Sequence, residues 1–398
     1  MELTKYKLGD VCTFINGRAY SQPELLDSGK YKVLRVGNIF DGNHWYYSDM
    51  ELEEDKYCNE GDLLYSWACT FGPYIWHGPK TIFHYHIWKV KPNDSLVDKS
   101  FLYYFLNHQT KGFMGSTHGS TMIHITKENM ENFEVLLPSL KDQKKIAFVL
   151  SALDDKIALN KKMNQKLEAM AKRLYDYWFV QYDFPDKNGR PYKTTGGKME
   201  YNPTLKREIP VGWEVSTLAN FAEYVKTTTK FDNAFNYVST DNMLAEKQGL
   251  SGEILKPASG NVLCYEKNDI LISNIRPYFK KIWYADQSGT CSTDVLCIRS
   301  LNSDNSYFVY KTLWQDDFFD YVMQGAKGSK MPRGDKTRIM NYPICIAKEN
   351  FDELIKKISA LTIPMQAIIQ KNTKEISRLT KLRDKLLPLL MNGQVAVA

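Results

Sequence analysis

Residues 153–174 have the sequence LDDKIALNKKMNQKLEAMAKRL, in which apolar and asparagine side chains recur at alternating spacings of four and three. The recurring positions are Leu153, Ile157, Asn160, Asn164, Leu167, Ala171 and Leu174. On a helix this spacing forms one narrow stripe, which is the pattern of a coiled-coil seam. We therefore predict a long helix that pairs with another helix along this stripe.

A second segment near the end of the sequence repeats this pattern. Its stripe consists of Leu361, Met365, Ile368, Asn372, Ile376, Leu379, Leu382, Leu386 and Leu389. Asn160 and Asn372 lie 212 residues apart, as do Leu167 and Leu379. A seam asparagine lowers stability but fixes the alignment of two helices, so a matched pair indicates a register device. We predict that the two helices pair with each other in opposite directions.

The segments outside the two helices repeat as well. Residues 61–66, GDLLYS, parallel residues 268–273, NDILIS, at an offset of 207. Residues 119–122, GSTM, parallel residues 328–331, GSKM, at an offset of 209. Short alternating apolar runs in these segments predict strands, and a few longer apolar patches predict helices. The order is therefore globular segment, helix, globular segment, helix, with a period of about half the chain.

These patterns divide the chain into four parts. We predict a globular domain over residues 1–140, a helical region over 141–182, a linker with a second globular domain over 183–350, and a second helical region over 351–398. The linker, residues 185–213, is rich in Pro, Gly and Lys and is expected to lie outside the core. The predicted fold class is α+β: two mixed α/β domains joined by two long antiparallel helices that form a coiled coil, with a pseudo-two-fold internal repeat.

Charge and hydropathy set limits on function. The formal net charge of +6 is too small to indicate a nucleic-acid partner by itself, and residues 1–140 carry 13 basic and 17 acidic residues. No run approaches the roughly 18 to 20 apolar residues of a membrane span, so we expect a cytoplasmic protein.

The sequence also lacks the usual signatures of metal sites and enzymes. The seven cysteines are scattered without a C-x-x-C pair. All seven histidines lie in residues 44–124, but His84 and His86 have no nearby carboxylate or cysteine partner, so we expect no metal. We find no phosphate-binding loop, no Asn-Pro-Pro-aromatic segment of an amino-methyltransferase and no nucleophile elbow. We therefore expect no catalytic residue in this chain.

Several segments carry a resemblance to a known family. They are Lys144–Ala147 with Leu153–Ile157, Tyr177–Phe179, Ile209–Trp213, and Leu379–Pro388. With the repeated architecture, they make the chain similar over its whole length to the specificity subunits of Type I restriction-modification systems. The match is specific in the helices and the Gly-Ser-x-Met segments, and loose in the globular segments.

This resemblance implies a function and a set of partners. The globular domains would be target recognition domains for double-stranded DNA, each reading one half-site. The helices would set the spacing of the half-sites and help to dock two methyltransferase subunits, which restriction and translocase subunits join. S-adenosylmethionine, Mg and ATP would bind to those partners, and no cofactor is expected in this chain.

Candidate DNA-binding residues in the second half centre on two segments. Residues 327–338 hold five basic residues and one acidic residue, interrupted by Gly and Pro, as in a loop that contacts phosphates and guanine edges. Residues 274–281 mix an amide, cations and aromatics after a predicted strand. The candidates in this half are Lys226, Lys230, Asn242, Asn274, Arg276, Lys280, Lys281, Lys327, Ser329, Lys330, Arg333 and Lys336.

The corresponding candidates in the first half are fewer and mostly uncharged. They are Arg35, Asn38, Thr117, His118, Ser120 and His124. For both halves a solvated loop without DNA contact remains an alternative. Two other functions also remain open, a coiled-coil adaptor without DNA readout and a metal-dependent nuclease that uses the histidines.

Overall fold

The computed structural model describes residues 2–40, 42, 44–114 and 124–397. It consists of two compact units. The first unit contains residues 1–159 and 378–398, and the second unit contains residues 160–377. Both units are built from strands and helices, so each has a mixed α/β fold.

The described residues of the first unit form two four-stranded sheets and one strand pair. The strands are β1 Thr4–Lys7, β2 Cys12–Asn16, β3 Tyr31–Leu34, β4 Tyr46–Ser48, β5 Tyr57–Cys58, β6 Leu63–Ser66, β7 Gly72–Ile75, β8 Thr81–Phe83, β9 Ile87–Pro92 and β10 Glu134–Leu137. One sheet has the antiparallel order β2-β9-β6-β7. The other has the order β4-β3-β8-β5, in which β3 and β8 are parallel. Strand β1 pairs with β10.

Three helices pack on the first of these sheets: α1 Leu8–Val11, α3 Lys99–Met114 and α4 Lys127–Asn132. Helix α2, Val36–Phe40, packs in a separate cluster that includes Leu34 and Phe83 of the second sheet. Phe101 and Phe105 on α3 are buried in one core with Phe14 and Tyr65 from the sheet. The long helix α5, Leu140–Tyr175, begins in this unit and adds Ile146 to the same core.

The second unit contains the remaining strands and helices. The strands are β11 Met199–Asn202, β12 Arg207–Pro210, β13 Trp213–Thr217, β14 Ala222–Tyr224, β15 Thr228–Lys230, β16 Asn261–Tyr265, β17 Ile270–Ser273, β18 Ile282–Tyr284, β19 Gly289–Cys291, β20 Val295–Ser300 and β21 Pro343–Ala347. The helices are α6 Ser306–Leu313, α7 Asp316–Gln324, α8 Lys336–Met340 and α9 Phe351–Met391, whose last part lies in the first unit. The sheets have the orders β14-β20-β17-β18, β15-β16-β19, β13-β21 and β11-β12.

The two units share one sheet topology. The order β14-β20-β17-β18 repeats β2-β9-β6-β7 strand for strand, and all pairs in both sheets are antiparallel. The turns that precede β6 and β17 are also the same. Asp62 accepts a hydrogen bond from the backbone N of Asn59 at 2.8 Å, and Asp269 accepts one from the backbone N of Glu266 at 2.7 Å. Each turn carboxylate therefore caps the backbone three residues earlier, at the positions that the 207-residue offset predicts.

Within each unit, α5 and α9 contact each other in opposite directions. In the second unit, Asn160 Nδ2 donates to Glu375 at 3.1 Å and Asn164 Nδ2 donates to Thr373 Oγ1 at 3.3 Å. Asn372 Nδ2 donates to Asn164 Oδ1 at 2.9 Å. The residue number on α9 falls as that on α5 rises, which is the sense expected from the stripes.

Most side chains of the two predicted stripes are buried or partly buried. The buried ones are Ile157, Asn160, Asn372 and Leu379, and the partly buried ones are Leu153, Leu167, Leu174, Ile376 and Leu386. Ile368 is 42% exposed, whereas Ile369 is 7% exposed, so the buried position is Ile369 and not the predicted Ile368. Successive helical residues point about 100° apart, and two adjacent isoleucines leave the choice between them to the packing.

The segment predicted as a linker contributes to the core of the second unit. Ile209 is 1% exposed and Trp213 is 5% exposed. The ring of Phe184 stacks on Trp213 with 4.9 Å between centroids. Asp183 accepts hydrogen bonds from the backbone N and the hydroxyl of Thr194, which holds the loop that precedes the β11–β12 hairpin. The expectation that this segment lies outside the core is wrong, because its few large apolar residues outweigh its turn-forming composition.

Across the described residues, no helix is both long enough and apolar enough to cross a membrane.

A buried lysine lies among aromatic rings in the second unit. The side-chain nitrogen of Lys311 on α6 lies 4.7 Å from the ring centroid of Trp314 and 5.2 Å from that of Tyr310. Burial lowers the pKa of Lys311 to about 8, and the nearby Glu168 only partly opposes this shift. The fold therefore destabilises the charged form of Lys311 relative to its form in water.

We predict that Lys311→Met raises the melting temperature at pH 7 and that this gain shrinks toward pH 9.5. The pKa of Lys311 is lower in the folded chain than the unfolded value of 10.5. The charged lysine therefore lowers the free energy of unfolding by roughly 3 kcal/mol below pH 8. This loss becomes smaller above pH 8 and disappears above pH 10.5, where the unfolded chain has also lost the proton. Thermal melts of both proteins across this pH range test the prediction. Lys356→Met, at an exposed position of α9, is the control, and an equal gain at both pH values would contradict the prediction.

Candidate nucleic-acid interface

Two loops of the second unit lie side by side. Loop A, residues 274–281, follows β17, and loop B, residues 327–336, leads into α8. The backbone N of Arg276 donates to the carbonyl of Pro332 at 2.8 Å, and Ile275 forms an isolated antiparallel bridge with Arg333. The two segments that the sequence singled out separately therefore form one surface.

Exposed cations line this surface. Arg276 and Lys330 are exposed, as is Ser329 between the charged residues of loop B. Arg333 forms an ion pair with Asp294 at 3.0 Å, and Lys327 forms one with Asp335 at 3.4 Å. Exposed ion pairs of this kind contribute little stability, so a phosphate can replace the carboxylate at small cost. Loops A and B thus offer several cations to a polyanion.

Three other candidates near these loops have structural partners. Lys280 Nζ donates to Asp316 at 2.7 Å, and Lys281 Nζ donates to the carbonyl of Thr240 at 2.6 Å. Lys336 is exposed, with its amine 6.0 Å from the ring centroid of Tyr224. Lys280 and Lys281 tie loop A to its neighbours, so the structure gives them a positioning role.

Asn274 begins loop A and is partly enclosed. Its backbone N donates to the carbonyl of Asp294 at 2.9 Å. Its side-chain oxygen is buried without a hydrogen-bond partner among the described residues. Lys226 and Lys230 are exposed elsewhere in this unit, where Lys230 ends β15.

Asn38 and Asn242 hold equivalent turns. The side-chain oxygen of Asn38 accepts from the backbone N of Arg35 at 3.0 Å, and that of Asn242 accepts from the backbone N of Ser239 at 2.9 Å. The Asn242 amide nitrogen donates to the carbonyl of Tyr237 at 2.9 Å, and the side chain is 3% exposed. A base edge cannot reach this amide, which corrects the predicted DNA contact at Asn242. Asn38 also donates to a backbone carbonyl, that of His44, at 2.7 Å.

The described residues of the first unit contain a corresponding bridge. Ala68 and His124 form an isolated antiparallel bridge, and they precede the bridged pair Ile275 and Arg333 by 207 and 209 residues. Cys69 has a φ of 66°, and Arg276, 207 residues later, has a φ of 50°. Left-handed backbone is uncommon for residues other than glycine. A residue with left-handed backbone therefore lies three residues after β6 in the first unit and three residues after β17 in the second.

The side chains around the first unit's turn differ from those of the second. A cavity of about 520 Å³ lies beside the turn and is lined by residues that include Arg35, His84 and His86. Burial lowers the pKa of His84 to about 4 and also lowers that of His86. Sequence reasoning considered the two histidines only as a metal pair. The sequence feature that could have identified this pair is its i, i+2 spacing, which places both side chains on one face of an extended segment.

The remaining first-unit candidates are only partly described. Thr117, His118 and Ser120 lie outside the described residues. His124 takes part in the bridge to Ala68, and its ring lies 6.4 Å from that of Trp67 between centroids. Among the described residues, no group of three or more His, Cys, Asp or Glu side chains is placed to hold a metal ion.

Comparisons with known proteins agree with the repeated fold. Residues 2–169 match the model of the Type I restriction modification DNA specificity domain. The chain is 26% identical to the Type I restriction enzyme MjaIX specificity subunit of Methanocaldococcus jannaschii, over 77% of this chain and 71% of that protein. It is 22% identical to the HindI specificity subunit of Haemophilus influenzae, over 98% of this chain and 99% of that protein.

A solved structure shows the same fold over nearly the whole length. The crystal structure of the Type-I restriction-modification system S subunit from M. genitalium superposes with a TM-score of 0.60 and 17% identity, covering 98% of this chain and 96% of that chain. In its domain match, its relatives and its fold, this chain is therefore similar to the specificity subunits of Type I restriction-modification systems.

Proposed function

We propose that this chain is the DNA-recognition subunit of a Type I restriction-modification complex and that it reads a bipartite target, one half-site with each unit. The observation that carries the proposal is the repeated bridge beside a left-handed residue, Ala68 to His124 with Cys69 and Ile275 to Arg333 with Arg276, which has different side chains in the two units. A common backbone with different side chains is what two readers of unlike half-sites require.

The chemistry of loops A and B supports DNA as the ligand. Arg276, Lys330 and Ser329 are exposed and offer the donors that bind phosphate oxygens and the acceptor edge of guanine. Phosphate contacts would position the loops, and contacts with base edges would select the sequence. An adaptor without DNA readout has no use for such a cationic surface in the second unit.

The long helices fit the role of a spacer. We propose that α5 and α9 form an antiparallel coiled coil, that the molecule has a pseudo-two-fold repeat, and that the helix length sets the gap between half-sites. The predicted target recognition domains, residues 1–140 and 183–350, would then be exchangeable parts. The amide contacts of Asn160, Asn164 and Asn372 support this proposal because they specify one helix alignment.

The chemical steps would belong to other subunits. We propose that this chain is not catalytic and that it acts in the cytoplasm with two methyltransferase subunits and with restriction and translocase subunits. The partners would hold S-adenosylmethionine, Mg and ATP. The methyltransferase would flip the target adenine out of the duplex, while this chain holds the flanking sequence.

We predict that deletion of this gene from its operon abolishes methylation at one split sequence motif in the host. Replacement of residues 1–140 by the corresponding segment of a relative should change one half of that motif and leave the other half and the gap unchanged. Methylome sequencing of the three strains measures both effects. A motif that survives the deletion, or a replacement that alters both halves, would refute the proposal.

We also predict that Arg276→Gln and Lys330→Gln each lower the salt dependence of DNA binding. Each lost phosphate contact reduces the slope of log K against log salt concentration by about 0.9. Fluorescence anisotropy of the chain in complex with its methyltransferase, on a duplex that carries the methylated motif, gives the slope. Lys267→Gln is the control, because this exposed lysine precedes β17 whereas loop A follows it. An adaptor would show no specific binding for any variant.

A third prediction concerns the methyltransferase partner. Phe148 on α5 is 73% exposed within the first unit, and such a large apolar side chain on a helix surface is typical of a protein contact. Phe148→Ser should reduce co-purification of the co-expressed methyltransferase subunit and leave the melting temperature of this chain unchanged. Lys144→Ser, a nearby change from a charged residue on the same helix, is the control. Unchanged co-purification would place the docking site elsewhere.

A further inference from the structure

The cavity of the first unit combines one cation with several imidazole groups. Its volume is about 520 Å³, and its lining includes the side chains of Arg35, His44, Tyr46, Thr70, His84 and His86. These residues come from the end of β3, the start of β4, the turn after β6 and the connection from β8 to β9. Four separate parts of the unit thus bring hydrogen-bonding groups to one place.

The backbone and the side chain of Arg35 are both held in position. Its backbone N donates to Asn38 Oδ1 at 3.0 Å. Its guanidinium lies over the ring of Tyr46, with 5.2 Å to the centroid, and such a cation–π contact orients the guanidinium plane. The residue is nevertheless exposed. Arg35 therefore presents an ordered set of donors, and none of the described residues that line the cavity is a carboxylate.

The two histidines add neutral groups beside this cation. Burial lowers the pKa of His84 to about 4, with further lowering by His86 and Arg35, and burial followed by Arg35 lowers that of His86. Both imidazoles are therefore uncharged at neutral pH. The backbone N of His86 donates a hydrogen bond to Nδ1 of His84 at 3.4 Å. Because Nδ1 is the acceptor, the proton of the neutral His84 ring is on Nε2. A neutral imidazole offers one donor and one acceptor, which suits a base edge better than a phosphate.

The place of the cation differs between the two units. Cys69, which lines the cavity, occupies the turn position that Arg276 occupies in the second unit. Conversely, Ser239 occupies the turn position of Arg35, because each donates its backbone N to the asparagine three residues later. Ser239 is 8% exposed. Each unit thus has an exposed arginine beside its bridge: Arg35 at the end of β3 in the first unit, and Arg276 of loop A in the second, where Arg333 of loop B adds another.

We infer that the cavity is the base-reading site of the first unit, where Arg35 binds the edge of a guanine and His84 and His86 contact the adjoining base. The inference rests on the proposed function and names the residues and the base class of one half-site. Arginine binds guanine through two parallel hydrogen bonds to O6 and N7, and the major groove exposes both acceptors. The acidic excess of residues 1–140 also argues against a site that depends on phosphate attraction alone.

The test uses methylome sequencing of hosts that carry the full operon with single variants of this chain. In Arg35→Lys and Arg35→Gln we expect one guanine of one half-site to become degenerate, with discrimination reduced about ten- to a hundredfold, while the other half-site and the gap persist. His86→Asn should relax the adjoining position of the same half. Arg276→Gln, in the second unit, should leave the bases of this half-site unchanged. His77→Asn, at an exposed histidine that does not line the cavity, should leave the motif unchanged.

Other results would overturn the inference. If Arg35→Lys keeps the full motif while Arg35→Gln weakens all sites equally, Arg35 binds a phosphate and not a base. If neither arginine variant nor His86→Asn alters the motif, the cavity does not read DNA. A host with the unmodified chain that shows no split motif contradicts the proposed function itself, so the two failures are distinguishable. Melting temperatures of the purified complexes identify any variant that fails to fold, and Arg35→Lys, which keeps the charge at an exposed position, guards against that outcome.

Discussion

Buried amides restrict how the two long helices of this protein can pair. Asn372 is 7% exposed and Asn160 is 2% exposed, and their amide nitrogens donate to Asn164 and Glu375. A buried amide without a partner costs about 1–3 kcal/mol. An alignment shifted by one helical turn would leave both amides unsatisfied. The polar contacts thus select the alignment, while the apolar neighbours supply most of the stability.

The core of the second unit is assembled on these helices. Phe179, just beyond α5, and Phe351, at the start of α9, lie 6.1 Å apart between ring centroids. Phe308 of α6 packs against both rings, at 5.0 Å and 5.5 Å. The sheet that carries loop A packs on this cluster through buried residues such as Ile272. The position of loop A relative to the helices is therefore fixed by aromatic packing.

Features with a local signal could be predicted from the sequence. The stripes of α5 and α9 depend on spacing along one segment, and the matched asparagines indicated the alignment. The repeat offsets likewise located the bridged loops before any contact was known. By contrast, nothing local distinguishes Ile368 from Ile369, because packing against α5 decides which of the two is buried.

Predictions that depended on unseen partners were less successful. The amide of Asn242 looked available for DNA, but two backbone groups of its own turn occupy it. His84 and His86 were considered only as a metal pair, and their position beside Arg35, some 50 residues away along the chain, was not predicted. The residues that the sequence placed in a linker fold onto the core because Trp213 finds aromatic partners. For the histidines and for Trp213 the deciding contact joins segments that are distant in sequence, whereas for Asn242 it lies within the turn itself.

The left-handed turn after the central strand has a consequence for how such proteins diversify. Cys69 and Arg276 share this conformation although their side chains have nothing in common. The backbone strain at each of these residues is of order 1 kcal/mol, and the neighbouring bridge keeps the residue in this conformation. Because Cys69 and Arg276 both adopt this conformation, a single codon change there can place a different side chain on the surface beside the bridge without disturbing the fold. The chemistry of this surface can therefore change by small steps on an unchanged scaffold.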